Sequence, residues 1–222
     1  MKNIFLQKKK LLIMVTLFLM GSVAQAQLSG ISIEASQQFS NFSYQNSDGL
    51  GGKSFLGSDE YTGIYAGGYN LGYRMTTLDN IVIRASIGMR RAGASLVFED
   101  IVNTWSFQYA DFRAAAGYEY GLGDKLGIYL TAGPYAAYLL RASQTRNDVD
   151  YNLKENGEIN TWDFGIVASP GVKYQVSDFI DVYAEADYLF GLKNLETNAA
   201  DTGQESYNVG LAISLGVVFI IE

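Results

Sequence analysis

Between residues 29 and 219 the chain alternates apolar with small or polar residues at a period of two, in eight successive runs. Side chains of an extended strand point to opposite faces in turn, so this alternation specifies half-buried β-strands rather than helices. The runs cover about 29–43, 61–75, 81–98, 104–120, 126–143, 161–176, 180–192 and 206–219. The eighth is representative: Tyr207, Val209, Leu211, Ile213, Leu215, Val217 and Phe219 share one face, and Asn208, Gly210, Ala212, Ser214, Gly216 and Val218 the other. Eight such runs predict an all-β, antiparallel up-and-down barrel of eight strands.

The connections differ in length. Segments 76–80, 121–125 and 177–179 are short, 99–103 is brief, and 44–60, 144–160 and 193–205 are long and rich in Gly, Asn and Asp. Short turns on one rim and longer loops on the other are the pattern of a transmembrane barrel. An even strand count brings both termini to the short-turn rim, which is periplasmic in that setting.

Alternation alone does not say whether the apolar face meets lipid or lines the inside of a soluble, lipocalin-like calyx. The polar face is dominated by Gly, Ala, Ser and Thr, with few charges. That suits a narrow lumen better than a solvated exterior. On the apolar face, Tyr73, Tyr118, Tyr120, Tyr174 and Phe219 fall near the short-turn rim. Tyr65, Tyr138, Trp162, Tyr188, Phe190 and Tyr207 fall near the other, with an aliphatic belt between them. Two aromatic girdles around such a belt mark the two membrane interfaces. Tyr69 lies at mid-height. Trp105, Phe107 and Tyr109 sit on the wrong parity for outward side chains, which predicts a β-bulge near residue 110.

Of fourteen charged residues in the runs, thirteen fall on the polar parity and Arg91 is the exception. A charge facing lipid at mid-membrane costs about 2–4 kcal/mol, so a bilayer imposes such sorting. Opposite charges in a narrow lumen should pair. The expected ion-pair network comprises Glu34, Arg74, Arg84, Asp111, Arg113, Glu119, Lys173, Glu185 and Asp187, acting as a plug or, alternatively, as a charged constriction in a narrow small-solute channel.

The N-terminus carries Lys2, Lys8, Lys9 and Lys10, an apolar run from Leu11 to Met20 and Ala24-Gln25-Ala26. This reads as a cleavable signal peptide over 1–26, leaving 27–222 as the barrel domain. Net charge then moves from −7 for the whole chain to −11, and most of the acidity lies in the long loops. The absence of Cys and His removes thiol nucleophiles, thiolate metal sites, Ser-His-Asp triads and the commonest base near neutral pH. No enzyme activity, cofactor or metal is expected. An acidic chain is also a poor nucleic-acid ligand. Asp148, Asp150, Glu155 and Glu158 offer carboxylates for weak cation binding, but Leu153 and Ile159 occupy the Gly and Glu positions of a calcium loop. A solvated acidic loop is the simpler reading.

Several segments carry a family resemblance: Arg84-Ala-Ser-Ile-Gly-Met-Arg-Arg-Ala-Gly93, Tyr109-Ala-Asp-Phe-Arg-Ala-Ala-Ala-Gly-Tyr118, Leu130-Thr-Ala-Gly-Pro-Tyr-Ala-Ala-Tyr-Leu139, Asp163-Phe-Gly165 and Asp187-Tyr-Leu-Phe-Gly-Leu192. With these, the chain resembles the PorT-like, porin-family outer-membrane β-barrel proteins. It departs from them in lacking an Ile-Pro step in the fourth run and in ending Ile220-Ile221-Glu222 beyond the aromatic Phe219. The resemblance implies an integral barrel of a Gram-negative outer membrane, with some relatives serving protein secretion. Expected partners are outer-membrane lipid and, as candidates, envelope or secretion proteins. A monomer acting through its outer loops as a structural or binding scaffold is the favoured state.

Overall fold

A computed structural model describes residues 26–45, 61–98, 101–197, 203 and 205–221. The expected signal peptide and its cleavage point lie outside the described residues, apart from Ala26 at the start of the first strand.

The strands are β1 (Ala26–Gln45), β2 (Thr62–Thr77), β3 (Ile81–Phe98), β4 (Ile101–Gly121), β5 (Leu126–Arg146), β6 (Val149–Asn152), β7 (Trp162–Ser177), β8 (Ile180–Gly191) and β9 (Glu205–Ile221). All pairings are antiparallel. β1 pairs with both β2 and β9, and β5 with both β4 and β7, so eight strands close into a ring. Closure removes the free sheet edges, the condition for crossing a bilayer with strands. β6 stands outside the ring, pairing only with the end of β5 through Ser143↔Asn152 to Arg146↔Val149. Asn147 and Asp148, both at positive φ, form the two-residue turn between them, as expected of Asn and Asp in a tight hairpin. Part of the segment read as an open acidic loop is therefore an ordered hairpin.

The outer wall is apolar. Ile33, Leu71, Ile87, Leu130, Ile166, Leu211, Ile213 and Leu215 are all exposed, while their sequence neighbours turn inward. A soluble calyx would reverse this arrangement.

Two readings of the alternation are corrected by the register. β3 and β4 pair without interruption from Ile81↔Tyr118 to Phe98↔Ile101, so β4 has no bulge near residue 110. Trp105, Phe107 and Tyr109 instead keep the inward parity of Asp111 and Arg113 and enter the lumen as an aromatic layer. The bulge lies on the facing strand. Gln108 pairs with Arg141 but Tyr109 pairs with Leu139, so Leu140 is the extra residue. Leu139 and Ala142 are buried, whereas Leu140 and Arg141 are exposed. Arg141 thus faces outward, although its parity in the lower part of the strand placed it in the lumen.

Candidate functional site

The lumen is filled in two storeys. In the lower storey, inward positions carry the charges that the alternation assigned there. At the short-turn end Arg74 lies 3.0 Å from Glu119, which also meets Lys173 at 2.6 Å, and Lys173 reaches Asp181 at 3.5 Å. Above them Arg84 bridges Glu185 at 2.5 Å and Glu34 at 3.3 Å. Arg113 contacts Asp111 at 2.8 Å and Asp187 at 3.8 Å. All nine residues of the expected network therefore lie in the lumen, in three ion-paired groups stacked as a column. Arg90, Asp163 and Asp181 belong to it as well: Arg90 stands 3.0 Å from Asp163 and 3.4 Å from Asp111.

Neutral donors complete the column. Tyr183 donates to Glu34 (3.0 Å), Tyr129 to Glu185 (2.7 Å) and Tyr135 to Asp163 (3.1 Å). Asn70 donates to Glu34 and Asn208 to Asp163. Ser169 and Ser214 both donate to Asp187. The guanidinium of Arg74 lies 4.2 Å from the Tyr129 ring centroid, and that of Arg90 lies 4.8 and 5.0 Å from Tyr109 and Tyr135. Such contacts strengthen when desolvated.

These tyrosines fit because glycine faces them. Tyr129, Tyr135 and Tyr183 pair across the ladder with Gly171, Gly165 and Gly216. A methyl group added at Gly216 would stand 2.2 Å from the Tyr183 ring. A Tyr on the polar parity opposite a Gly of the next strand is the sequence signal for them, and it becomes readable only once the register is known.

The upper storey is apolar, so the lumen is not polar throughout. Phe42, Phe107, Tyr109, Leu139, Leu153, Val167, Leu189 and Leu195 form one buried cluster, with Tyr61, Trp105 and Ile159 packed against it. Leu153 and Leu195 come from the long connections. Asn160 N–H donates to the Leu195 carbonyl (2.6 Å), Leu195 N–H to that of Ser206 (2.8 Å) and Thr197 N–H to that of Glu158 (3.1 Å). The Asn160 side chain donates to the carbonyls of Asn194 and Glu196. Two loops are thereby knitted together and hold two leucines in the barrel mouth. Lumen voids at Arg113–Asp187 and at Arg74–Asp181 measure about 20 and 10 Å³, room for about one water each at most.

Glu34, Glu185 and Asp187 are the one described carboxylate group whose oxygens approach within 4.8 Å of one another. They are already hydrogen-bonded to Arg84, Tyr183, Tyr129, Asn70, Ser169 and Ser214. In the connection over 144–160, Asp150 accepts from Thr145 and Glu158 from Asn156.

Of the expected interface aromatics, Tyr65, Tyr73, Tyr118, Tyr120, Tyr138, Trp162, Tyr174 and Phe219 are exposed on the outer wall and Tyr188 is half-buried. Tyr207 departs from the expectation. It is only 6% exposed, and its hydroxyl donates to Glu205 at 2.6 Å.

A closed ring with an apolar exterior and a charged, packed interior defines a transmembrane β-barrel. The profile of the outer membrane protein beta-barrel domain matches residues 11–218, and the chain belongs to that family. No curated protein matches it significantly. Among solved structures, it is similar to Neisserial surface protein A (16% identity, TM-score 0.50, covering 87% of this chain and 98% of that one). Ail of Yersinia pestis, solved with the heparin analogue sucrose octasulfate, gives 16% identity, TM-score 0.45 and coverages of 87% and 98%. OprG from Pseudomonas aeruginosa gives 10% identity, TM-score 0.49 and coverages of 89% and 99%. The family places the chain in the outer membrane, with lipid around its wall.

Proposed function

We propose that the protein is a non-conducting, non-enzymatic outer-membrane scaffold. It acts as a monomer through the surface at its long-loop end, with both termini periplasmic. The observation that supports this reading is the double closure of the lumen, by the ion-pair column below and by the Leu153–Leu195 stopper above. Eight-stranded barrels are just wide enough for side chains to fill, and here little space is left over. The test is single-channel recording on purified protein in planar bilayers. The expected result is a flat trace, and stable openings altered by R84A would overturn the reading in favour of a small-solute channel.

The motifs in β3, β4, β5, β7 and β8 support a narrower place among PorT-like proteins, and with it a role beside a protein-secretion machinery. Purification from native membranes tests this. Stoichiometric recovery with envelope proteins is the expected result of that role, and recovery of the barrel alone counts against it.

A further inference from the structure

Two of the strand arginines that do not enter the lumen, Arg91 and Arg141, lie in one line. Arg91 of β3 pairs with Gln108 of β4, and Gln108 pairs with Arg141 of β5. All three have outward parity, because the Leu140 bulge turns Arg141 over. With strands about 4.8 Å apart, the two guanidinium stems stand roughly 10 Å apart with an amide between them.

Two more cations join them from the loops. Lys154 Nζ lies 5.4 Å from the Tyr138 ring and donates to the Leu140 carbonyl at 3.1 Å. Lys193 Nζ lies 5.6 Å from the Phe164 ring. Tyr138 and Phe164 flank Trp162, at 5.1 and 5.9 Å between ring centroids. Among the described residues no carboxylate forms an ion pair with any of these four cations, in contrast to the lumen, where every base has one.

The row also marks where the wall changes character. On its short-turn side the outward residues are Met89, Ala110, Phe112 and Tyr138; on the other side Ser106, Ser143, Thr104 and Thr145 come first, with Val97 and Val102 further out. The apolar wall is thus first interrupted by polar side chains at the arginine row. Beside it, the β2–β3 ladder shifts register between Gly63 and Gly68. A surface depression of about 430 Å³ lies there, lined by Gly67, Gly68, Tyr69, Met89, Arg91 and Gln108.

We propose that Arg91, Arg141, Lys154 and Lys193, with Gln108, form a binding face for the phosphate groups of membrane lipids at the long-loop end. Charge complementarity and continuity with the lipid-facing wall both point to that occupant. Four cations with no carboxylate partner among the described residues, at the edge of an apolar belt, meet phosphate while their stems and the adjacent aromatics stay against acyl chains. Arg presents a planar fork suited to bidentate phosphate contact, and Gln108 adds a neutral donor between the two.

The test uses the protein reconstituted in phosphatidylcholine vesicles containing brominated phosphatidylglycerol, or brominated phosphatidylcholine in parallel. Trp162 lies in the proposed face, whereas Trp105 is turned into the lumen, so quenching reports lipid at the site. A cation at an anionic lipid surface contributes about a five-fold preference, so wild-type protein should favour phosphatidylglycerol by about five-fold or more. R91Q/R141Q/K154Q/K193Q should fall below about two-fold, and R146Q, at the hairpin tip, should match wild type. Heat-shifted gel mobility verifies that each variant is a folded barrel. Equal quenching by the two lipids in wild type, a preference retained by the quadruple variant, or equal loss in R146Q would overturn the proposal. Loss of the preference on adding millimolar inorganic phosphate would overturn the lipid assignment in favour of a free-phosphate site.

Discussion

The guanidinium of Arg90 donates to the carboxylate of Asp163 across 3.0 Å, with both side chains essentially sealed from solvent. This pair joins the two storeys of the lumen. Asp163 also accepts from Tyr135 and Asn208, and Asn208 in turn donates to Tyr109 of the apolar cluster.

Removing Arg90 leaves Asp163 with neutral donors only and Asp111 with Arg113 alone. Breaking a buried pair from one side costs about 3–5 kcal/mol, because a charge is left without its partner. R90M should lose that much stability in urea unfolding from lipid vesicles. R90M/D163N should recover a large part, since coupled residues are not additive. Additive losses would show that the pair does not act as a unit.

Gly216 sits beneath the Tyr183 ring, and an added methyl group cannot be placed without moving it. G216A should therefore weaken the Tyr183–Glu34 hydrogen bond and cost about 1–3 kcal/mol as an overpacking change. In G216A/Y183A the second substitution makes room, so the double variant should cost less than the sum of the singles. Unfolding midpoints of the three variants decide this.

The outer wall was readable from the sequence because lipid imposes one rule on every strand, and Ile33, Ile87, Leu130 and Leu215 obey it. The lumen charges were readable for the same reason. The upper storey was not, because Trp105, Phe107 and Tyr109 on an inward parity look the same in sequence as a shifted register. Arg141 was misassigned because a bulge at Leu140 leaves no mark in a run that reads Tyr-Leu-Leu-Arg-Ala. Leu153 and Leu195 sit in polar loops, and only contacts between two distant segments make them core residues.

Leu195 fills the barrel mouth and belongs to the segment that receives the Asn160 N–H. L195A should open the stopper without touching the ion-pair column, with a cost of about 2–5 kcal/mol for a buried Leu→Ala change. The expected signature is faster amide exchange across residues 153–161 and 192–197, with the ring strands unchanged, by hydrogen-exchange mass spectrometry. Unchanged exchange in these segments would show that the leucine is not what holds the two loops.

Leu215 lies on the outer wall of β9, 63% exposed, with Ala35 and Ala184 as its cross-strand partners. Its environment decides the effect of a charge. If this wall met water, L215R would remove little packing and change stability by no more than about 0.5 kcal/mol. Against lipid, near the middle of the belt between Leu211 and Phe219, the same substitution should cost about 2–4 kcal/mol. R146Q at the exposed hairpin tip should be neutral in either setting. Unfolding from vesicles separates the two outcomes, and a near-neutral L215R would contradict the lipid-facing assignment of β9.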